Sequence, residues 1–362
     1  MYSSNPLLLI VVIFLNSLLS FSQKSDLKFY EVFSTSKNSK VSCYRIPSII
    51  TTDKGTLIAA ADERVLSCGD LKLNRDINIV IRTSNDEGKS WSSINRIINY
   101  PSGESASDPS MIFDRKMKQI YLFYNYMNLD KDKDSYYLKY ITSLDNGLTW
   151  SKPIDITDQI SKPEWKNDFK FITSGRGFQT QDGILLHCLV NLQKGTHIFG
   201  SNDHGKTWYI TDTPISPGDE SKIVELNARS WLVNSRVNNK GIRYSHISKD
   251  QGKNWTTKPE SKLIDPGCNA SLIKYDYGNY IKSDLLLFSS INNQSERKEI
   301  AIRHSLNGGK TWSDPKLIYA GSAAYSSMTV LNNGDIGLLF EMDNYSKNVF
   351  TTFSLHWLMN DL

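Results

Sequence analysis

One eight-residue pattern, Ser-x-Asp-x-Gly-x-Thr-Trp, limits this chain's fold more than any other feature. It occurs at residues 84–91, 143–150, 201–208, 248–255 and 305–312. Five matches of this length are not an accident of composition. In each, an Asp or Asn can fold back onto nearby backbone N–H groups, a Gly supplies positive φ, and a Trp opens the next segment by covering the turn. Asn254 in place of Ser/Thr and Asn307 in place of Asp keep that chemistry. Upstream runs such as residues 77–83 and 299–304 alternate as strands do. The unit is therefore a small antiparallel sheet ended by a tight hairpin.

The Trp positions fall 47 to 59 residues apart, about the length of a four-stranded propeller blade with long loops. The 340 residues from Gln23 onward, at about 55 per blade, give about six. The expected fold is all-β, a six-bladed β-propeller of four-stranded antiparallel blades. One blade lacks the turn motif. In it, residues 326–331, 336–341 and 349–355 are expected to pair with an N-terminal strand near 29–33, closing the ring and leaving no free sheet edge. No linker or composition shift interrupts residues 26–358, so residues 23–362 read as one domain. Residues 1–22 read as a signal peptide: the apolar run 7–15 is too short to span a bilayer, and small Ser20 and Ser22 suit cleavage before Gln23. The mature chain is then secreted, periplasmic or extracellular, with no membrane span, and is expected to be a monomer.

Lys and Arg number 42 against 38 Asp and Glu, and the 12 Arg are scattered, so nothing marks a nucleic-acid partner. The six His and four Cys lack metal-ligand spacing, and no cofactor is implied. The recurring Asp86, Asp145, Asp203 and Asp250 are structural, because an active site needs a unique constellation.

The unrepeated residues carry the chemistry. Tyr44-Arg45-Ile46-Pro47 heads the first unit, and Arg64 and Cys68-Gly69-Asp70 follow. Tyr-Arg-Ile-Pro followed by several such turns resembles the exo-α-sialidases (neuraminidases), over about residues 28–357. The resemblance implies a six-bladed propeller that hydrolyses terminal α-linked sialic acids from glycoproteins, glycolipids and oligosaccharides. It implies an arginine triad for the substrate carboxylate: Arg45, Arg236 sixteen residues after Glu220, and Arg303 two residues before the last turn. It makes Tyr325 the nucleophile, Glu220 its base, Asp70 the acid/base and Glu341 the brace of Arg45. Arg64 and Asp108 would line the pocket around the ring substituents. Glu225 competes with Glu220, and Asp62, Glu63 and Asp76 lie near Asp70.

The chemistry is coherent by itself. Guanidinium groups bind a permanent carboxylate by bidentate hydrogen bonds. A neutral phenol approaches an anomeric carbon that bears a carboxylate without the repulsion an anion would meet, and sialidases are the recognised tyrosine exception among glycosidases. Asp70 would protonate the leaving oxygen and then deprotonate water, which calls for a partly desolvated carboxyl and a mildly acidic optimum. The alternatives are a trans-sialidase, a non-catalytic glycan-binding propeller, and a glycosidase for neutral glycans, whose substrate would leave the arginines nothing to bind. Cys43 and Cys68 each precede a proposed site residue by two positions and are candidates for a disulfide.

Overall fold

The computed structural model describes residues 27–35, 40–280 and 283–360. The signal-peptide segment 1–22 lies outside these residues. The fold is all-β, and among the described residues the α-helices are two, of four and five residues, Thr157–Ile160 and Leu355–Met359. Among the described residues no helix is long and apolar enough to cross a membrane.

Four sheets hold the strands. The plainest is an antiparallel meander of Ser221–Asn227, Ser230–Ser235, Ile242–Ser248 and Thr256–Ile264. A nine-stranded sheet begins with Cys43–Thr51, Leu57–Arg64 and Asp76–Ser84, then continues through a short parallel pairing with Glu104–Asp114. A seven-stranded sheet contains the 15-residue strand Lys316–Val330, which pairs with Lys298–Ser305 along one half and Ile336–Met342 along the other. Leu185–Asn191 organises the fourth, a five-stranded sheet.

The expected N-terminal pairing is present: Tyr30–Ser34 pairs antiparallel with Lys347–Phe353. The expectation of no free edge is corrected. Tyr30–Ser34 and Ser271–Lys274 each end the seven-stranded sheet. The N-terminal strand and the last long strand are joined by this one pairing, and the four sheets do not form a continuous ladder.

Each repeated turn has one geometry. In the first, Ser84 Oγ donates to Asp86 Oδ1 at 2.7 Å, and Asp86 accepts from Ser90 N–H at 2.9 Å. Two successive residues, Glu87 and Gly88, take positive φ, as do Asn146 and Gly147, His204 and Gly205, Gln251 and Gly252, and both Gly308 and Gly309. The glycine is also required by packing, since a Cβ on Gly88 would lie 2.1 Å from the Phe350 ring of the strand Lys347–Phe353. The turns therefore clamp neighbouring units together.

Direction along the strands decides what lies where. The turns sit at the ends of the third strands of their units, such as Ser84 and Ser305. Successive strands reverse direction, so Arg45, Arg64 and Arg236 come at the opposite ends of their hairpins. That end of the sheets gathers the site.

Candidate active site

Three inner strands break register where they meet this end. The strand Cys43–Thr51 shifts between Arg45 and Ser48, Glu104–Asp114 between Ser107 and Ser110, and Lys316–Val330 between Ala323 and Ser326. The first two interruptions have the same local form: Ile46 and Asp108 take φ of 60° and 63°, and each is followed by Pro and Ser. A β-branched residue in the left-handed region is strained. Bulges of this kind bend a strand and re-aim its side chains, and Pro is tolerated there because no ladder N–H is needed.

Glu341 ties two of these bulges together. Its carboxylate accepts from Arg45 Nε at 2.6 Å, from Ile46 N–H at 2.9 Å and from Tyr325 N–H at 3.1 Å. Arg45 is thereby fixed with its guanidinium 4.0 Å from the Tyr345 ring centroid and 5.6 Å from that of Tyr325. The Tyr325 hydroxyl donates to Glu220 Oε2 at 2.8 Å, and Arg236 Nη1 donates to the same Glu220 oxygen at 2.6 Å and to the Tyr325 oxygen at 3.1 Å. Tyr325, Glu220 and Arg236 thus form a closed hydrogen-bonded triangle.

Burial sets the electrostatics of this triangle. It raises the Glu220 carboxyl above the usual range, with Arg236 opposing and Asp219 adding to the rise. Burial, then the Glu220 charge, holds the Tyr325 phenol well above its ordinary value, while Arg236 pulls it down. Burial and the neighbouring Asp62 raise Asp108, although Arg64 and Asn125 counter them. Lys222, two residues along from Glu220, donates to Ser174 O and Asn269 Oδ1, both at 2.8 Å, and burial lowers its pKa to about 8.

A cleft of about 300 Å³ runs from this triangle past Asp108 to Asp70 and an apolar wall that includes Phe169, Phe171 and Leu192. Asp70 is at the mouth, with its side chain 79% exposed and its Oδ1 accepting from Arg64 Nη1 at 2.7 Å. It is not in the partly desolvated setting expected of it. Arg64 is corrected as a pocket residue: it is fully buried, and Asp62, Cys68 O and Asp70 take its donors. Its contact with the cleft runs through Asp70. The Cys43–Cys68 disulfide, with Cα atoms 5.7 Å apart, ties the Asp70 loop to the strand that bears Arg45.

The placement of Arg303 is also corrected. Its Nη2 donates to Asn292 at 2.7 Å, and none of its hydrogen bonds reaches the triangle. The reason is direction: Arg303 lies toward the Ser305 turn, at the far end of its strand from the cleft. Arg297, which sequence reasoning missed, stands instead with its guanidinium 5.4 Å from the Tyr325 ring centroid, donating to Tyr345 Oη at 3.2 Å and Gly267 O at 2.9 Å. A signal was available. Arg297 lies between the second and third strands of its unit, Leu286–Ile291 and Lys298–Ser305, as Arg236 lies between Ser230–Ser235 and Ile242–Ser248. Of the competing carboxylates, Glu225 accepts from Gln181 N–H at 2.8 Å, outside the triangle, and Asp62 lies beneath Arg64.

Known proteins share this arrangement of chain. The BNR repeat-like domain family matches residues 55–338. A sialidase of Bacteroides fragilis (strain YCH46) is 30% identical over 82% of this chain and 60% of its own length, and one of Micromonospora viridifaciens is 30% identical over 87% and 52%. The chain thus spans less than two thirds of either relative. Among solved structures, the Hadza microbial sialidase Hz136 superposes with a TM-score of 0.82 at 28% identity, covering 91% of this chain and 69% of that one. The intramolecular trans-sialidase from Ruminococcus gnavus shares the fold, with a TM-score of 0.77 at 21% identity over 91% and 98%. By its repeats, its fold and these relatives, the chain belongs to the family of sialidases with BNR, or Asp-box, repeats.

Proposed function

We infer that the chain is an exo-α-sialidase that hydrolyses terminal α-linked sialic acids of glycoconjugates with retention, on a six-bladed propeller. The single observation that carries this reading is the triangle of Tyr325, Glu220 and Arg236 beside two further arginines. A phenol hydrogen-bonded to a buried carboxylate is an activated neutral nucleophile. Arg45, Arg236 and Arg297 surround the Tyr325 ring and would hold a carboxylate next to the carbon under attack.

In the first displacement the Tyr325 oxygen bonds to the anomeric carbon as its proton passes to Glu220. The glycosidic C–O bond breaks, and Asp70 gives its proton to the departing oxygen. In the second, Asp70 takes a proton from water, whose oxygen bonds to the carbon, and the Tyr325 ether bond breaks as Glu220 returns the proton. The raised Glu220 carboxyl matches its proton affinity to that exchange. Exposed Asp70 becomes desolvated only when substrate covers the mouth of the cleft. Antiparallel runs of strands in the four sheets support the blade reading. Export, with residues 1–22 as signal peptide and 23–362 as one domain, belongs to the same proposal, and the Cys43–Cys68 bond fits an oxidising compartment.

The test is release of a fluorogenic aglycone from an α-sialoside, followed by NMR of the first sugar formed. Turnover giving the α-anomer is expected. A β-anomer would rule out double displacement, transfer to added lactose would redefine the enzyme as a transferase, and folded protein without turnover would leave a glycan-binding propeller.

A further inference from the structure

A cavity larger than the one that holds the triangle lies elsewhere in the molecule. It has about 590 Å³ and opens at the other end of the same inner strands: Thr51 and Val330 line it, whereas Ile46 and Tyr325 line the catalytic cleft. The five or six residues between those positions, at about 3.3 Å each, separate the two sites by roughly 15–20 Å. Its volume falls within the range of small-molecule sites.

Its charge is unbalanced. Arg115 pairs with Asp276 at 2.9 Å and Lys118 with Asp53 at 3.1 Å. Arg176 and Lys274 have no carboxylate partner among the described residues. Arg176 donates through Nη1 to Met328 O at 3.0 Å and makes no second hydrogen bond among the described residues; Lys274 donates to Leu226 O at 3.2 Å. Four cations and two carboxylates therefore line one cavity, and because Asp53 and Asp276 pair with Lys118 and Arg115, Arg176 and Lys274 leave it with an excess of positive charge, beside the apolar walls of Phe113 and Phe178. Burial lowers Arg176 to about 10, with Asp276 opposing and Arg115 adding to the fall, as expected of a charge that would gain from an anion.

We propose that this far cavity is a second binding site, for a small organic oxyanion held by Arg176 and Lys274, separate from the substrate cleft. Arg176 offers a planar donor edge for two oxygens, Lys274 a point charge, and the aromatic walls a surface for a compact carbon body.

Isothermal titration of the full chain with inorganic phosphate and, separately, malonate tests this. Saturable binding of at least one is expected, weakened about tenfold or more by Arg176→Met or Lys274→Met and unchanged by Arg45→Ala. Phosphate alone assigns phosphate esters, and malonate alone assigns carboxylates. Should Arg176→Met fail to fold, Lys274→Met, a half-exposed position, carries the test. Absence of saturable binding, binding indifferent to both substitutions, or binding abolished by Arg45→Ala would overturn the proposal.

Discussion

The repeated turns and the axial cluster use the same carboxylates in opposite ways. In the turns, Asp86, Asp145 and Asp203 accept hydrogen bonds from neighbouring hydroxyl and backbone donors near solvent, and each pKa falls to about 2. On the axis, desolvation pushes up both buried Glu220 and half-buried Asp108. A carboxyl lowered by folding stabilises the native state above its unfolded pKa, and that contribution is lost as pH falls toward about 2. A raised one contributes only at low pH and loses that contribution as pH rises through its folded value. The turns hold the fold, while the axis draws on that stability to keep charges poised for chemistry.

The largest effect separating the two regions should come from Tyr325→Phe, which removes the nucleophilic oxygen. A loss in kcat of about 10³-fold or more is expected, with an unchanged melting temperature within a few degrees. Arg45→Ala should cost about 100-fold in kcat/KM. Arg297→Ala should cost a similar factor while Arg303→Ala leaves kcat/KM on the α-sialoside unaltered; the reverse pattern would restore Arg303 to the triad. Gly88→Ala acts on the other region. Positive φ and the Phe350 contact together should cost about 2 kcal/mol in urea unfolding, with kcat of the folded fraction preserved.

Two smaller effects sharpen the contrast. Asp108→Asn removes a carboxyl whose ionisation the folded site disfavours and keeps a side chain suited to positive φ, so the variant should melt higher than the parent, by a margin that grows as pH rises toward about 8. Asp145→Ala should lose about 1 kcal/mol at pH 7, and the deficit should shrink as pH falls below the ordinary carboxyl value, where the unfolded parent takes up a proton, and vanish near pH 2, where the turn itself is protonated. A pH-independent deficit would detach the turns from this account.

The same contrast explains what could be read without coordinates. The turns are local, so eight residues encode them completely, including the glycine. The pairing of residues 29–33 with the last strands followed from the missing sixth motif. The axial cluster is assembled across nearly the whole chain: Arg45 meets Glu341 and Tyr325 meets Glu220 only once strands far apart in sequence have packed together. Family resemblance named those residues, and their spacing alone could not. Arg303 was misplaced because its distance from a turn was read without the direction of its strand. Arg64 was misjudged because the buried Asp62 that claims it is specified by register, not by pattern. The bulges at Ile46-Pro47-Ser48 and Asp108-Pro109-Ser110 emerge only in the structure, although both repeat a Pro-Ser step, and they mark the two inner strands that carry Arg45 and Asp108.

The central claim is that Tyr325 bonds covalently to the sugar, and intact-mass and peptide analysis after brief exposure to a C3-fluorinated sialosyl fluoride tests it most directly. The fluorine slows breakdown of the intermediate, so a single sialyl adduct located on the peptide containing Tyr325, absent from Tyr325→Phe, is the predicted result. An adduct on another residue, or rapid turnover of the reagent by Tyr325→Phe, would contradict it.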